Sequence, residues 1–174
     1  VRRKRVCNRM RILALDQASI ITGYAIFDDG DLVSFGKLTA DKSVSPEDRF
    51  EEMCRKIHLL FLKSKADIII FEDVSLRTSI KTLITLSRLQ GAIMDMSYWH
   101  NTAFKIYAPT QWRKVLGFNQ GNKVNREALK IQAIDYVSKC YGITAKDDIA
   151  EAICIGLAYL RDSGIIEEIK EKKK

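Results

Sequence analysis

The sequence contains few of the residues that mark several common protein classes. Its 174 residues include only four Cys, two Pro, nine Gly and two His. The cysteines stand at positions 7, 54, 140 and 154 and form no CxxC pair, which argues against a zinc ribbon, a redox motif or a disulfide-stapled domain. So little Pro and Gly excludes collagen-like and low-complexity chains. No apolar run approaches the roughly 18 residues of a membrane-spanning helix, and no signal peptide is predicted.

The net charge of +7 is unevenly distributed. Residues 1–9 carry five basic side chains and no acidic one, and the last five residues carry four Lys and one Glu. We therefore predict a single domain over residues 10–163, a basic extension or tag over 1–9, and a basic tail over 164–174. One domain also suits the length, because a chain of this size can bury a sizeable core.

One internal segment is also basic. Residues 75–130 hold nine Lys and Arg against two acidic residues. Such a segment can neutralise the phosphates of a nucleic acid. The alternative is a solvated face with scattered Lys and Arg.

Hydrophobic periodicity predicts strands that alternate with helices after an initial meander. The expected strands are 11–15, 22–27, 32–38, 68–71 and 104–107. The expected helices begin near 46 and cover 81–101, 112–116, 125–141 and 148–163. The predicted fold class is α/β, with a mixed five-stranded sheet (an antiparallel meander, then parallel strands) flanked by helices.

Acidic residues follow two of the apolar strands. Asp16 ends the first, and Glu72 ends the fourth. Asp148 and Glu151 lie three residues apart in the first turn of the last helix, so they share a face. Each has an ordinary explanation, as a cap, a helix-dipole partner or a solvated strand end. If the four converge, however, their repulsion calls for a cation, and carboxylate ligands select Mg²⁺ or Mn²⁺.

An all-carboxylate cluster beside a basic surface suits metal-assisted phosphodiester hydrolysis. Two ions would serve such a reaction, one at the attacking oxygen and one at the departing oxygen. With only two His and no Cys pair, the sequence offers few ligands for a zinc site.

Three motifs carry a family resemblance. The stretch Asp16-Gln-Ala-Ser-Ile-Ile-Thr-Gly-Tyr24 resembles the Asp-Pro-Gly-Ser-x-x-Thr-Gly-Tyr signature of RuvC-type Holliday junction resolvases. Ile-Phe-Glu72-Asp-Val is similar to the family's Ile-Glu-x-Val strand end. Asp148-Ile-Ala-Glu151-Ala-Ile is similar to its Asp-x-x-Asp-Ala-Leu helix. In order and spacing the resemblance runs from Met10 to about Leu160.

The resemblance implies a ribonuclease H-like fold, a cytoplasmic protein of a bacterial or phage-infected cell, and a homodimer that nicks two opposed strands of a four-way DNA junction. It implies two Mg²⁺ ions per site, replaceable by Mn²⁺, on Asp16, Glu72, Asp148 and Glu151. Pro109-Thr-Gln-Trp-Arg113 is similar to a Pro-x-x-Val-Lys stretch, which places Arg113 near the scissile phosphate, and Lys123 matches a second basic position. The residues expected to bind DNA are Arg77, Lys81, Arg88, Arg113, Lys114, Lys123 and Arg126.

The chain departs from the family pattern in several places. Gln17 and Ala18 replace the signature Pro and Gly, and Glu151 replaces an Asp. Ser75 stands where cellular members often have an aromatic residue. These changes, with the Asp147-Asp148 pair, favour a phage-type or viral-type member. The expected dimer interface is the helix over 81–101, whose apolar residues beside Gly91 and Ala92 are Leu83, Leu86, Ile93 and Met94. These four residues could instead face the protomer's own core.

Two other functions remain open at this stage. The first is a ribonuclease H-like nuclease that acts on other branched DNA or on structured RNA. The second is a catalytically silent nucleic-acid-binding module, which the change at Glu151 or the altered turn at Ala18 would favour.

Overall fold

The computed structural model describes residues 9–75, 79–121 and 124–166. Five strands form one sheet in the order β3-β2-β1-β4-β5. Their bounds are β1 Arg11–Asp16, β2 Ile21–Asp28, β3 Asp31–Thr39, β4 Ile68–Glu72 and β5 Ala103–Tyr107. Strands β1, β2 and β3 pair antiparallel as a meander, whereas β4 pairs parallel to both β1 and β5.

Five helices cover the two faces of the sheet in the described residues. Their bounds are α1 Pro46–Ser64, α2 Ile80–Trp99, α3 Pro109–Val115, α4 Arg126–Tyr141 and α5 Asp147–Asp162. Side-chain caps begin three of them: Ser45, Ser79 and Asn125 accept hydrogen bonds from backbone N–H groups three residues further along. A Pro occupies the first position of α1 and of α3, where its missing N–H costs no hydrogen bond.

The central strands are buried on both sides, which explains their continuous apolar runs. On one face, Leu13 and Ile69 join a core with α1 and α2. On the other face, Ile12 and Ile70 join a larger core with α3, α4 and α5. Helix α5 is buried over most of its circumference, so it is the central helix of that layer.

The mixed five-stranded sheet and the order of elements predicted from the sequence are confirmed. One detail differs. The short helix α3 begins at Pro109 rather than near residue 112, because this Pro starts the helix and does not merely end the preceding strand. Of the two orientations left open for the apolar residues of α2, Ile93 has the inward one and packs into the protomer's own core. No helix among the described residues is long and apolar enough to cross a membrane.

Candidate active site

Two carboxylates lie side by side at one edge of the sheet. Strands β1 and β4 run parallel, with Leu15 opposite Phe71, so the next residues, Asp16 and Glu72, emerge together at their carboxyl ends. This edge is where open α/β sheets bind their ligands. The topology therefore places both predicted strand-end acids in one site.

Helix α5 brings its first turn to the same edge, and Gly23 makes this approach possible. Gly23 pairs with Asp16 across β1 and β2. A Cβ at Gly23 would lie only 1.9 Å from the backbone oxygen of Asp148, which is far inside any permitted contact. Gly156 allows a second close approach, because a Cβ there would lie 2.2 Å from the ring of Phe27. These two glycines let α5 lie directly on β2.

The turn after β1 is closed by a buried threonine. The Thr22 hydroxyl donates to the backbone oxygen of Ala18 (2.8 Å), and its oxygen accepts from the Ala18 N–H (3.1 Å). Thr22 is fully buried. The Thr-Gly part of the motif therefore has two separate structural tasks, which are to close the turn beside Asp16 and to admit the α5 backbone.

The four carboxylates act on one another electrostatically. Burial raises the pKa of Asp16 well above its usual range, and the charges of Glu151, Glu72 and Asp148 raise it further. Burial also raises the pKa values of Glu72, Asp148 and Glu151. The residues predicted from three separate sequence motifs thus form one acidic cluster.

Helix α3 supplies two residues that hold this cluster. The indole N–H of Trp112 donates to Oε1 of Glu72 at 2.7 Å. The neighbouring Arg113 donates to Oε1 of Glu151 at 3.1 Å and lies 3.8 Å from Oε1 of Glu72. Its guanidinium stacks over the Trp112 ring, 4.7 Å from the centroid, and its Nε is buried without a hydrogen-bond partner among the described residues. The guanidinium of Arg113 therefore lies between two carboxylates and partly neutralises their charge.

Gln17 ties the two strand ends together. Its side-chain amide donates to the backbone oxygen of Glu72 and accepts from the Glu72 N–H at 3.3 Å. Gln17 is 8% exposed, so water does not readily replace these bonds. The residue that departs from the family's proline thus fixes the spacing between Asp16 and Glu72.

The two adjacent acids at the start of α5 have different environments. Lys130 of α4 donates to Asp147 at 2.5 Å, and this bond lowers the pKa of Asp147. Asp148, in contrast, contributes to the electrostatic field at Asp16. The lysine therefore neutralises Asp147, whereas Asp148 belongs to the acidic cluster.

Among the described residues, no three His, Cys, Asp or Glu side chains are close enough together to hold a metal ion as they stand. The composition of the cluster nevertheless fits a hard divalent cation, because all four groups offer carboxylate oxygens and the charges of the other three raise the pKa of Asp16, a repulsion that a cation would relieve. Arg113 now neutralises part of this charge. A metal held by three or more of these groups would thus require the carboxylates to draw together.

The predicted DNA-binding residues divide into three groups. Arg113 lies within the acidic cluster, and Arg126 is close enough to lower the pKa values of Asp16, Glu72 and Glu151. Lys81 and Arg88 are exposed on α2, and Lys114 is exposed on α3. Outside the described residues lie Arg77 and Lys123.

Sequence reasoning did not assign site roles to Gln17, Trp112 or Lys130. Gln17 adjoins Asp16 and Trp112 adjoins Arg113, so adjacency to a predicted site residue was the available signal. Lys130 had no such signal, because its contact with Asp147 depends on how α4 packs on α5.

Comparison with curated proteins gives relatives of one kind, although no protein-family model matches the chain. It is 25% identical to the crossover junction endodeoxyribonuclease RuvC of Fusobacterium nucleatum over 159 residues, which cover 89% of this chain and 82% of that protein. It is 24% identical to RuvC of Dictyoglomus thermophilum over 156 residues, covering 87% and 96% of the two chains.

Solved structures give the same result for the fold. Thermus thermophilus RuvC in complex with a Holliday junction substrate superposes with a TM-score of 0.67 at 10% identity, covering 90% of this chain and 97% of that one. The fowlpox virus resolvase in complex with Holliday junction DNA superposes with a TM-score of 0.61 at 20% identity, covering 88% and 99%. The assignment to a phage or viral type stays a prediction. In sequence the chain is similar to RuvC crossover junction endodeoxyribonucleases, and in fold to Holliday junction resolvases, as its motifs had indicated.

Proposed function

We propose that this protein is a Holliday junction resolvase, a metal-dependent endonuclease that nicks two opposed strands of a four-way DNA junction. The observation that carries the proposal is the meeting of Asp16, Glu72, Asp148 and Glu151 at one sheet edge, from three separate elements. The similarity to RuvC proteins over most of both chains supports the same reaction.

The four carboxylates would hold two Mg²⁺ ions, or Mn²⁺ in their place. Such ions supply a hydroxide nucleophile and stabilise the departing oxygen of a phosphodiester. Asp148 is the proposed ligand in preference to Asp147, because Lys130 already neutralises Asp147. The buried Nε of Arg113, which lacks a partner in the described residues, fits a guanidinium that moves when its carboxylate partners bind metal.

The chain's own side chains prepare the site for this chemistry. Trp112 orients Glu72, and Gln17 fixes the strand end that carries it. Arg113, once released from Glu151, is within reach of a phosphate that approaches the cluster. An Arg there can stabilise negative charge on the phosphate as the bond to the leaving oxygen breaks.

The DNA would lie across the helices that frame this edge. Arg126 and Lys114 are exposed on α4 and α3, and Lys81 and Arg88 are exposed on α2. Arg77 and Lys123 belong to the same proposed set, although they lie outside the described residues. Contacts from these residues to phosphates give affinity that falls with salt concentration.

Two symmetric nicks call for two sites related by a twofold axis, and α2 offers a surface for a homodimer. Its exposed side carries a row of residues whose spacing alternates between four and three positions, which is the pattern of a helix-pairing seam. This outer stripe of α2 consists of Ile80, Ile84, Ser87, Gly91, Met94 and Tyr98. Ile80 is 75% exposed and Tyr98 78% exposed, while a Cβ on Gly91 would meet nothing within 4 Å. Small residues at the centre let two helices approach closely.

The dimer is tested by Met94→Asp, which places a charge in the stripe. Light scattering should show a dimer for the native protein and a monomer for this variant. Leu62→Asp is the matched control, because Leu62 is 48% exposed on α1 and lies outside the stripe. A native protein that remains monomeric at high concentration contradicts the dimer.

The function is tested by a nicking assay on a labelled four-way junction and a matched linear duplex, with Mg²⁺ or with EDTA. We expect paired nicks confined to the junction, abolished by EDTA and by Asp16→Asn. Asp135→Asn, which changes an exposed carboxylate on α4, should cut normally. Equal cutting of the duplex, or preference for flaps or structured RNA, would instead indicate a general ribonuclease H-like nuclease.

The silent nucleic-acid-binding module remains the second candidate. The observation that favours it is the absence of three metal-compatible side chains in close contact within residues 9–75, 79–121 and 124–166. Tight junction binding without cleavage, together with no heat of Mn²⁺ binding in calorimetry, would support this alternative.

A further inference from the structure

The chain's two histidines, far apart in sequence, meet between α1 and α2. Their Nε2 atoms lie 3.0 Å apart. His58 is in the second half of α1, and His100 caps the C-terminus of α2. Both side chains are exposed, so an ion in solution can reach them. The pair lies apart from the acidic cluster, which is built by β1, β4, α3 and α5.

The rings are held by their surroundings. The His100 backbone N–H bonds to the carbonyls of Met96 and Tyr98, which fixes the end of α2. The His100 ring packs edge-on against Phe61, with centroids 5.1 Å apart, and edge-on against His58 at the same separation. The facing nitrogens are therefore a consequence of helix packing.

Two facing Nε2 atoms have only two ways to avoid repulsion between their lone pairs. One ring can donate an N–H to the other, or both lone pairs can bind one cation. A transition metal lies about 2.0–2.1 Å from an imidazole nitrogen, so two ligands at roughly a right angle or wider on one ion are about 3 Å or slightly more apart. In this structure the two rings are hydrogen-bonded, and the same separation suits a shared ion with little movement.

The surroundings provide further oxygen and sulfur atoms but no completed site. The groove between α1 and α2 has a volume of about 530 Å³, and Glu51, Cys54 and Asp95 line it with the two histidines. Cys54 lies one helical turn before His58, and burial raises the pKa of its thiol. Since no three such groups in the described part of the chain are close enough to share an ion, water would complete the coordination.

We propose that His58 and His100 form a second metal site, which binds one borderline divalent ion such as Zn²⁺ or Ni²⁺ through both imidazoles and clips the C-terminal end of α2 to α1. Imidazole ligands select these ions over Mg²⁺, which prefers oxygen. The site does not depend on the proposed nuclease function.

The test is calorimetric titration of EDTA-stripped full-length protein with Ni²⁺ in excess Mg²⁺, which would occupy any site formed by carboxylates alone. We expect one ion per chain, at least tenfold weaker binding in His58→Gln and in His100→Gln, and unchanged binding in Asp16→Asn. Ni²⁺ should also raise the melting temperature of the native protein and not of the His variants, because it binds only the folded site.

Cys54→Ser distinguishes Ni²⁺ binding by the two imidazoles from Ni²⁺ binding by the thiol. Retained binding in Cys54→Ser supports the proposal, whereas loss there with retention in His58→Gln overturns it. Loss of binding in Asp16→Asn, or unchanged binding in both His variants, also overturns it. Circular dichroism of each variant at the titration temperature confirms that the comparison is between folded proteins.

Discussion

Gly23 lies directly under the backbone carbonyl of Asp148, where a Cβ would approach the oxygen to 1.9 Å. Since Gly23 is also the cross-strand partner of Asp16, one residue sets the distance between the first strand and the last helix of the acidic cluster. Gly23 therefore controls the geometry of the site although it contributes no side chain.

Replacement of Gly23 by Ala should push the start of α5 away from β2. We expect a loss of about 1–3 kcal/mol of stability from overpacking, measured by chemical denaturation, and a larger loss of nicking activity. Gly121→Ala is the stability control: its Cβ would lie 3.4 Å from Oδ1 of Asn119, an ordinary contact, so stability should change by less than about 0.5 kcal/mol. Wild-type nicking rates in Gly23→Ala would show that α5 does not need this close approach.

The guanidinium of Arg113 bonds to Glu151 and lies near Glu72, so it would compete with a metal bound to these carboxylates. In Arg113→Met we expect about tenfold tighter Mn²⁺ binding in calorimetry, equivalent to about 1.4 kcal/mol, together with slower cleavage. Lys114→Met removes a neighbouring exposed charge and should leave Mn²⁺ affinity unchanged. Weaker Mn²⁺ binding in Arg113→Met would contradict the competition.

The indole of Trp112 is fully buried and donates to Glu72. Trp112→Phe keeps most of the packing but removes the donor, so we expect a cost of about 1–3 kcal/mol and reduced nicking at saturating Mg²⁺. Phe118→Leu disturbs the aromatic contact with Trp112 and leaves the hydrogen bond in place. This control should lower stability without reducing nicking at saturating Mg²⁺. An equal loss of nicking in both variants would contradict the role of Trp112 in orienting Glu72.

The buried amide of Gln17 joins the ends of β1 and β4. Gln17→Met has similar volume but leaves the Glu72 backbone groups without their partners, so stability should fall by about 1–3 kcal/mol and cleavage should slow. Gln120→Met removes a more exposed amide, which donates to Thr110, and should change neither quantity. Unaltered stability of Gln17→Met by urea denaturation would contradict the structural role.

A pH effect is expected away from the site, at Asp28. The hydrogen bond from Arg9 lowers the pKa of Asp28, and the charges of Arg9 and Arg11 act in the same direction. A lowered pKa gives stability that is complete above the unfolded value, about 4, and is lost as the pH falls through the folded value. The stability advantage of the native protein over Asp28→Asn should therefore shrink below about pH 4. Thermal melts of both proteins above and below about pH 4 check this trend, and an advantage that stays constant with pH would contradict it.

Local sequence determined the elements of the fold. Apolar runs of four or five residues predicted the central strands, and Ser45 with Pro46 marked the start of α1. The order of elements then restricted the sheet to a meander followed by parallel strands. Asp16 and Glu72 lie at the ends of neighbouring parallel strands, so their meeting at one edge followed from strand geometry, whereas the approach of the Asp-x-x-Glu turn depends on how α5 packs.

Contacts between elements could be decided only by the tertiary structure. The role of Gly23 depends on the backbone of α5, which is 125 residues later in the chain. Lys130 pairs with Asp147 because α4 packs on α5, and this contact distinguishes Asp147 from Asp148. The meeting of His58 and His100 likewise depends on the packing of α1 on α2. Sequence patterns report periodicity and local caps, whereas such pairings depend on helix positions that arise only when the whole core is packed.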